Sequence, residues 1–198
     1  MALYSEGISV KIIEVKEIER LYTRGLKRTK KPVEIVVHGT AGGSSAQGLI
    51  KWMTGLINSK DKWEKQRAAD YLKGVALFHF VIDYDGTIYQ LINPDNFVYH
   101  SQAGLYDSNT IGVELMNSKP KNAGTYTAEQ YKALAELIEY LKRHRFPLIT
   151  RVSTHDFNAW TYSGLKKTTP CPGPNFRFTE LKAALQIPAE ETDYGLII

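Results

Sequence analysis

Residues 77–92, LFHFVIDYDGTIYQLI, contain two apolar runs on either side of the segment Asp83-Tyr84-Asp85-Gly86. An Asp-Gly pair between two apolar runs is a strong signal for a β-hairpin, so this stretch predicts two antiparallel strands. Side chains alternate between the two faces of a strand, which places Phe78 and Phe80 on one face and His79 on the other. We therefore interpret His79 as a hydrogen-bonded structural histidine and not as a metal ligand.

Further strands and helices are predicted on both sides of this hairpin. β-branched or alternating runs indicate an edge strand, a central strand and two more strands, at residues 8–15, 33–37, 109–117 and 149–152. Helical periodicity and a capping-box pattern after Thr127 indicate four helices, at residues 44–57, 63–72, 127–141 and 178–185. Because strands and helices intermingle, the sequence predicts an α/β fold with a central mixed β-sheet flanked by helices.

The length of the chain fits one domain. Its 198 residues are enough to bury a core of their own, and we expect a single domain over 1–198. Within it we distinguish a core at about 33–185, an N-terminal strand with a basic loop at 1–32, and a C-terminal acidic tail at 188–198. We expect a monomer.

Composition excludes several classes of protein. No stretch approaches the ~20 apolar residues of a membrane span, and the N-terminus lacks the pattern of a Sec signal peptide. The chain has 1 cysteine, so it is not a disulfide scaffold. The thiol is therefore idle, reactive or bound to a metal.

The charge of the chain is mildly basic. The net charge is +4, and lysines and arginines cluster at residues 24–31 and 142–145. Such clusters can meet nucleic acid, anionic lipid or an anionic wall polymer. No nucleic-acid motif accompanies them, so we expect no nucleic-acid partner and interpret them as a solvated loop and as a helix C-terminus that favours cations.

Two polar residues stand at strand positions that suit a functional site. His38 ends an apolar run and is followed by a loop of small residues, whose glycines let a ligand approach the backbone. It is either a site residue or a hydrogen-bonded core histidine. Glu114 interrupts the apolar run 109–117, where a carboxylate is costly unless it is paired or used. The alternative for Glu114 is a solvent-facing position on an edge strand.

The stretch 150–178, TRVSTHDFNAWTYSGLKKTTPCPGPNFRF, adds a histidine and the cysteine. Its first residues predict the end of a strand that delivers His155 into a loop. Cys171 lies between Pro170 and Pro172 on stiff backbone that cannot be helical. A free cysteine is usually a small buried hydrophobe. A histidine and a cysteine also suit a zinc ion that needs at least one more ligand.

Five segments together resemble one protein family. In chain order they are IVVHGTAG at 35–42, HFVIDYDGTIYQL at 79–91, YHSQAG at 99–104, NTIGVELMN at 109–117, and the THDF and PCPGPNF pieces at 154–157 and 170–176. They resemble the type 2 N-acetylmuramoyl-L-alanine amidases, a family that includes T7-type lysozyme and the animal peptidoglycan recognition proteins. The resemblance spans about residues 33–185.

The resemblance implies a zinc hydrolase that cuts the amide bond between the lactyl group of N-acetylmuramic acid and L-alanine in peptidoglycan or muropeptides. Its metal ligands carry over to His38, His155 and Cys171, with one Zn²⁺ per chain. Two neutral imidazoles and one thiolate would leave a fourth position open. Glu114 matches the family's carboxylate and could move the proton between water and the leaving amine.

Further residues carry over as substrate or oxyanion contacts. His100 matches a histidine that lines the substrate groove. Phe78 stands where some members have a catalytic tyrosine, and Thr169 stands where some have a lysine and could donate its hydroxyl to the oxyanion. Lys167 could reach the site if its loop bends. The gap from His155 to Cys171 is also longer than usual in the family.

The resemblance leaves the biological setting open. A chain made in the cytoplasm without a Sec signal fits a phage or prophage endolysin released to the cell wall, or a bacterial autolysin. It also fits a cytoplasmic amidase that recycles anhydro-muropeptides. The alternative from another functional class is a recognition module that binds muropeptides without cutting them.

Overall fold

The computed structural model of the chain describes residues 10–22, 27–164 and 170–198. Its strands form one eight-stranded sheet in the order β1-β4-β3-β5-β2-β6-β8-β7. The strands are β1 Ile12–Glu14, β2 Glu34–Gly39, β3 Phe80–Ile82, β4 Ile88–Gln90, β5 Thr110–Leu115, β6 Arg151–Thr154, β7 Glu190–Thr192 and β8 Gly195–Ile197.

The sheet is mixed, as the sequence predicts. Strand β2 is central and runs parallel to both of its neighbours, β5 and β6. Strands β3 and β4 form the predicted antiparallel hairpin, and β1 lies at the sheet edge, parallel to β4. Gly86 closes the hairpin with φ 82°, a left-handed conformation that glycine adopts without strain.

Helices cover both faces of this sheet. They are α1 Lys16–Tyr22, α2 Ala46–Gly55, α3 Lys62–Leu72, α4 Ala128–His144, α5 His155–Ser163 and α6 Phe178–Ala184. One apolar core joins the sheet to α4 and α6, and a second joins it to α1, α2 and α3. The capping box of α4 is confirmed, because Thr127 accepts from the Gln130 N–H and the Gln130 side chain accepts from the Thr127 N–H. None of the helices in the described ranges is both long enough and apolar enough to cross a membrane.

The alternation predicted for residues 78–80 is wrong. Phe80 packs in the core under α4, whereas Phe78 packs in the core on the opposite face of the sheet. The backbone is irregular at this point, because the Leu91 and Ile92 N–H groups both donate to the carbonyl of His79. The strand begins only at Phe80, and His79 lies at a bend, so strand alternation does not extend back to Phe78.

His79 is a structural histidine, as predicted, although the side-chain alternation on which this prediction was based is wrong. The ring is buried, its Nδ1 accepts from the Gly112 N–H at 3.0 Å, and its Nε2 lies 3.1 Å from the carbonyl oxygen of Asn96. His79 is a hydrogen-bonded structural histidine.

Two terminal predictions need correction. His155 does not lie in a loop: it follows β6 directly and is the first residue of α5. The segment expected to be an acidic tail instead forms the hairpin β7–β8, which extends the sheet beyond β6. Leu196 is fully buried there, so the hairpin contributes to the core.

The first basic cluster is only partly the solvated loop that we expected. Arg28 is half-buried, and its guanidinium donates to the carbonyl oxygens of Pro94, Asn96, Ser108 and Thr110. Burial lowers the pKa of Arg28 to about 10. Through these hydrogen bonds Arg28 connects residues 94–96, which precede His100, to residues 108–110, which follow it. Residues 24–26 of the cluster lie outside the described residues.

Candidate metal centre and groove

The central strands of the sheet have one apolar and one polar face. The apolar face carries the odd-numbered side chains of β2 and β5, which pack under α4: Ile35, Val37, Ile111, Val113 and Leu115. The even-numbered residues, among them His38 and Glu114, therefore project from the other face. In the parallel register of β2 and β5, His38 pairs with Glu114. Because β5 is an interior strand, the alternative of a solvent-facing edge position for Glu114 is wrong.

His155 joins His38 from the opposite neighbour. Val37 of β2 pairs with Thr154 of β6, so His155 lies one residue beyond the paired region, beside His38. The two imidazole centroids are 4.7 Å apart. Three adjacent parallel strands thus deliver Glu114, His38 and His155 at their carboxyl ends, which is where open α/β sheets bind ligands.

Cys171 reaches the same place from the proline-rich loop. The Asp156 N–H donates to the carbonyl oxygen of Cys171 at 3.1 Å, and the Tyr126 hydroxyl donates to that of Pro172 at 2.6 Å. Asn122 joins this loop to the loop after His38, because its side chain accepts from the Ala41 N–H at 2.6 Å and donates to the Pro170 carbonyl at 3.3 Å. The position of the thiol is therefore fixed from three sides.

Side-chain donors of His38, His155 and Cys171 lie within 4.8 Å of one another. The Sγ of Cys171 is 3.8 Å from the Nδ1 of His38. Ligands of a tetrahedral zinc ion are separated by about 3.5 Å, given metal–ligand distances of about 2.0–2.3 Å. Nitrogen and thiolate donors are the set that zinc prefers, so the three residues fit this metal.

Burial sets the protonation states of the three residues. It lowers the pKa of His38, helped by the neighbouring His155 and His100, and it lowers the pKa of His155. Both imidazoles are therefore neutral near pH 7, as metal ligands must be. Burial raises the pKa of the Cys171 thiol, so this group holds its proton until a cation displaces it.

His100 contacts the far side of the His38 ring. Its Nδ1 is 3.0 Å from the Nε2 of His38, and its Nε2 is 2.8 Å from the hydroxyl oxygen of Thr110. That hydroxyl donates to the carbonyl oxygen of Asp107 at 3.0 Å. One set of protons satisfies the whole chain of contacts: His38 donates to His100, His100 to Thr110, and Thr110 to the backbone. This assignment leaves the Nδ1 lone pair of His38 directed toward Cys171.

The His100 ring is held by its surroundings. Only 7% of the residue is exposed. A Cβ at Gly112 would lie 2.8 Å from the Cγ of His100, so only glycine lets the ring lie against β5. The Asp107 carboxylate accepts from the backbone N–H groups of His100 and Ser101 and from the Ser101 hydroxyl, which fixes the turn that carries the ring.

Glu114 lies beside the cluster with an unusual carboxylate. Burial raises the pKa of Glu114 to about 8. Its Oε2 is buried and has no hydrogen-bond partner within residues 10–22, 27–164 and 170–198. An unpaired buried carboxyl oxygen is costly, and such groups concentrate at functional sites.

A groove of about 560 Å³ opens over the cluster. It is lined by the three candidate ligands, by His100, Glu114 and Asn122, by Phe78, and by residues of α2 and α3 and of the segments 75–77 and 99–102. Phe78 is 6% exposed and forms part of the wall. Thr169 and Lys167 lie outside the described residues.

One residue and one contact that shape the site were not predicted from the sequence. Asn122 joins the two ligand loops and has φ 55°, a left-handed conformation in which asparagine is among the commoner non-glycine residues. The contact between His100 and His38 was also missed, because nothing in a span of 62 residues indicates that two rings will meet.

Two of three comparisons with known proteins point to one family. A family model described as N-acetylmuramoyl-L-alanine amidase matches residues 28–174. No match was found among curated proteins. Among solved structures, the endolysin N-acetylmuramoyl-L-alanine amidase LysCS of Clostridium intestinale URNW is 26% identical, with a TM-score of 0.60 and coverage of 90% of this chain and 97% of that one.

Two more distant structures share the fold. A selenomethionine derivative of AmpD is 22% identical, with a TM-score of 0.63 and coverage of 93% of this chain and 99% of that one. The Drosophila peptidoglycan recognition protein SD is 19% identical, with a TM-score of 0.58 and coverage of 83% and 89%. The fold is therefore found both in an amidase and in a peptidoglycan recognition protein.

Proposed function

Because the chain belongs to the N-acetylmuramoyl-L-alanine amidase family, we propose that it is a zinc-dependent amidase. Its reaction is hydrolysis of the amide bond between the lactyl group of N-acetylmuramic acid and L-alanine of the stem peptide. The observation that carries this proposal is the convergence of His38, His155 and Cys171 within 4.8 Å at the floor of a groove.

We assign the binding of one zinc ion to these three residues. When bound, zinc supplies Lewis-acid chemistry to the amide carbonyl and lowers the pKa of water. Two neutral imidazoles and one thiolate would hold the ion, and a zinc site with three protein ligands would keep a fourth position open.

Glu114 is the residue that moves the proton. As a carboxylate it accepts a proton from the attacking water, and as a carboxylic acid it donates this proton to the nitrogen of the leaving L-alanine. In the metal-free protein its pKa is about 8, so about one carboxyl in ten is ionised at pH 7, and a nearby bound cation would increase that fraction. The register of β2 and β5 places it next to His38, on the same face of the sheet.

His100 is a positioning residue for His38. The contact between His38 Nε2 and His100 Nδ1 fixes the tautomer and the orientation of the ligand ring, as partners of metal-bound histidines commonly do. This role accounts for its burial better than a broad contact with substrate does, since 7% of the residue is exposed.

The remaining assignments stay predictions. Phe78 contributes apolar surface to the groove. Thr169 as an oxyanion donor and Lys167 as a substrate contact follow from the family pattern alone. We also retain the single catalytic domain over 1–198, with the β7–β8 hairpin as part of it.

The setting that we propose is attack on the bacterial cell wall, as an endolysin or an autolysin. The likeness to LysCS, an endolysin amidase, at 26% identity supports this setting. The net charge of +4 also favours approach to an anionic wall. Recycling of soluble muropeptides by a cytoplasmic enzyme is the alternative, and the relative rates on intact wall and on soluble fragments distinguish the two.

The experiment that tests the activity uses a soluble N-acetylmuramoyl peptide and mass spectrometry. We expect the zinc-loaded protein to release the intact peptide with a free L-alanine amine, and we expect Cys171→Ala to lose both zinc and cleavage. Binding of the substrate by the zinc-loaded protein without any cleavage would refute the amidase and favour the recognition module.

A further inference from the structure

A fully buried carboxylate lies at the start of the strand that carries His38. Glu34 is the first residue of β2 and projects from the same face of the sheet as His38. The register of β2 and β6 pairs it with Arg151, four residues before His155. Glu34 is thus at one end of the two strands whose other ends lead to the candidate imidazole ligands. Because a buried carboxylate is costly unless it is paired and hydrogen-bonded, its partners identify the parts of the chain that it joins.

Both oxygens of the Glu34 carboxylate accept hydrogen bonds. Oε2 accepts from the Arg151 guanidinium at 2.6 Å and from the Tyr106 hydroxyl at 2.8 Å. Oε1 accepts from the Ser153 hydroxyl and from the Asn158 side-chain amide at 3.3 Å. These donors come from β6, from α5 and from a 3₁₀ turn, so one carboxylate joins β2 to three other parts of the chain. We call these five residues the Glu34 network.

Helix α5, which begins with His155, depends on this network because it takes little part in the apolar cores. None of its residues belongs to either of the two apolar cores formed by the described part of the chain. Its buried side chains are those of Asn158 and Ala159. Besides its contact with Glu34, the Asn158 amide donates to the Ser153 hydroxyl at 3.1 Å. The middle of α5 is therefore held to the sheet by polar contacts that lead to Glu34.

The far end of α5 contacts the same network. The Tyr162 ring stacks on that of Tyr106, with centroids 3.7 Å apart and an interplanar angle of 17°. The Tyr162 hydroxyl accepts from the Arg151 guanidinium at 2.8 Å. Two turns of the helix are thus fixed by residues that also contact the carboxylate of Glu34.

The first turn of α5 has contacts of its own. The Asp156 N–H donates to the carbonyl oxygen of Cys171, and the Phe157 ring lies 5.0 Å from that of Tyr194. These contacts connect the helix to the loop of the third ligand and to the β7–β8 hairpin. The hydrogen bonds of Glu34 instead join α5 directly to β2, the strand of His38.

We propose that Glu34 is a positioning residue for the zinc site, which holds His155 in place relative to His38 through α5. The inference rests on the proposed function, since it concerns the binding of the same metal ion. Ligands bind a metal tightly only when the surrounding contacts hold their donors near the geometry that the ion requires. Glu34 does not line the groove, so its effect on the site is indirect.

The test measures the zinc Kd by chelator competition together with the Tm of the metal-free protein. We expect Glu34→Gln to raise the zinc Kd by about tenfold, at the lower end of the effect of losing an outer partner of a metal ligand, because Glu34 acts through a helix. The control is Glu139→Gln, which replaces another buried acid, 3.6 Å from Arg143 on α4. It should lower the Tm without changing the zinc Kd.

A second variant, Asn158→Leu, separates α5 from Glu34 at a smaller cost in stability. The Oδ1 of Asn158 is buried and has no hydrogen-bond partner among the described residues. An apolar side chain of similar size removes this unsatisfied oxygen together with the two hydrogen bonds, so the Tm should change little. The zinc Kd should still rise by about tenfold.

The visible spectrum of the Co²⁺-loaded protein reports the geometry of the metal independently of stability. We expect its shape to change in Glu34→Gln and in Asn158→Leu but not in Glu139→Gln. An unchanged zinc Kd and spectrum in Asn158→Leu would overturn the positioning role and leave the proposed amidase intact. An equal rise in Kd in Glu139→Gln would also overturn it, since lost stability would then explain the effect. If the unmodified protein bound no zinc, the proposed function would fail and this inference with it.

Discussion

The Nε2 of His38 lies 3.0 Å from the Nδ1 of His100, on the side of the His38 ring opposite Cys171. The contact continues through the Thr110 hydroxyl to the backbone carbonyl of Asp107. Every member of this series is buried. A residue expected to line the substrate groove thus contacts a candidate metal ligand, and this relationship can be tested without measuring catalysis.

Removing the acceptor at His100 should weaken zinc binding. We expect His100→Leu to raise the zinc Kd about 10- to 100-fold, as loss of a partner of a metal-bound histidine typically does. His100→Asn, whose side-chain oxygen can occupy the place of Nδ1, should recover much of the affinity. The measurement is competition with a chelator of known affinity.

The control for this prediction is His144→Ala, at an exposed position at the end of α4. It should leave the zinc Kd unchanged. If His100→Leu changed KM for substrate but not the zinc Kd, His100 would be a substrate contact and the positioning role would be wrong.

Zinc binding should depend on pH through Cys171. Burial raises the pKa of this thiol, so binding of zinc releases its proton, and the Kd should fall about tenfold per pH unit from pH 6 to 8. Glu114→Gln protein is used for the measurement, because Glu114 also titrates in this range. In Cys171→Asp the ligand carries no thiol proton, so the slope should be smaller. An equal slope in both proteins would show that another group releases the proton.

Replacing Glu114 should separate metal binding from turnover. We expect Glu114→Gln to bind one zinc per chain and to lose about 10²- to 10⁴-fold in kcat, the usual contribution of a positioned acid–base group. KM should change little. A kcat equal to that of the unmodified protein would mean that Glu114 does not carry the proton.

The same carboxylate should make the metal-free protein less stable at higher pH. The pKa of Glu114 is about 8 in the folded protein, against an ordinary value of 4.5. Between these values the folded state holds a proton that the unfolded state has released, so the free energy of unfolding falls as pH rises through this window.

Glu114→Gln removes this dependence. In the presence of a chelator, the variant and the unmodified protein should have similar Tm values near pH 4.5. The variant should become the more stable of the two toward pH 8, by at most about 4 kcal/mol at about 1.4 kcal/mol per pKa unit. Glu191→Gln, at an exposed position on β7, is the control and should not change with pH in this way. A constant difference at every pH would contradict the raised pKa.

Local signals in the sequence were sufficient to predict the main strands and helices of the fold. The Asp-Gly turn predicted the β3–β4 hairpin, and the capping box after Thr127 predicted the start of α4. The apolar run before His38 predicted a central strand. Each of these depends on residues that are neighbours in the chain, so propensity and pattern decide them.

Features that depend on tertiary contacts could not be predicted in this way. The bend at His79, just before β3 begins, leaves Phe78 and Phe80 on opposite faces of the sheet. The acidic tail formed a hairpin because β6 offered a free sheet edge, which the tail residues alone do not reveal. The contact between His38 and His100 likewise forms only when β2 and β5 pair, because Gly112 of β5 leaves room for the His100 ring.

The amidase activity is tested most sharply by digestion of purified peptidoglycan by the zinc-loaded protein in ¹⁸O-labelled water, followed by mass spectrometry. We expect stem peptides that begin with a free L-alanine amine, and one ¹⁸O atom in the lactyl carboxylate of otherwise intact glycan strands. Chelation should abolish both products, and added zinc should restore them. New reducing ends on the glycan, cuts inside the peptide, or a wall left uncut by fully zinc-loaded protein would contradict it.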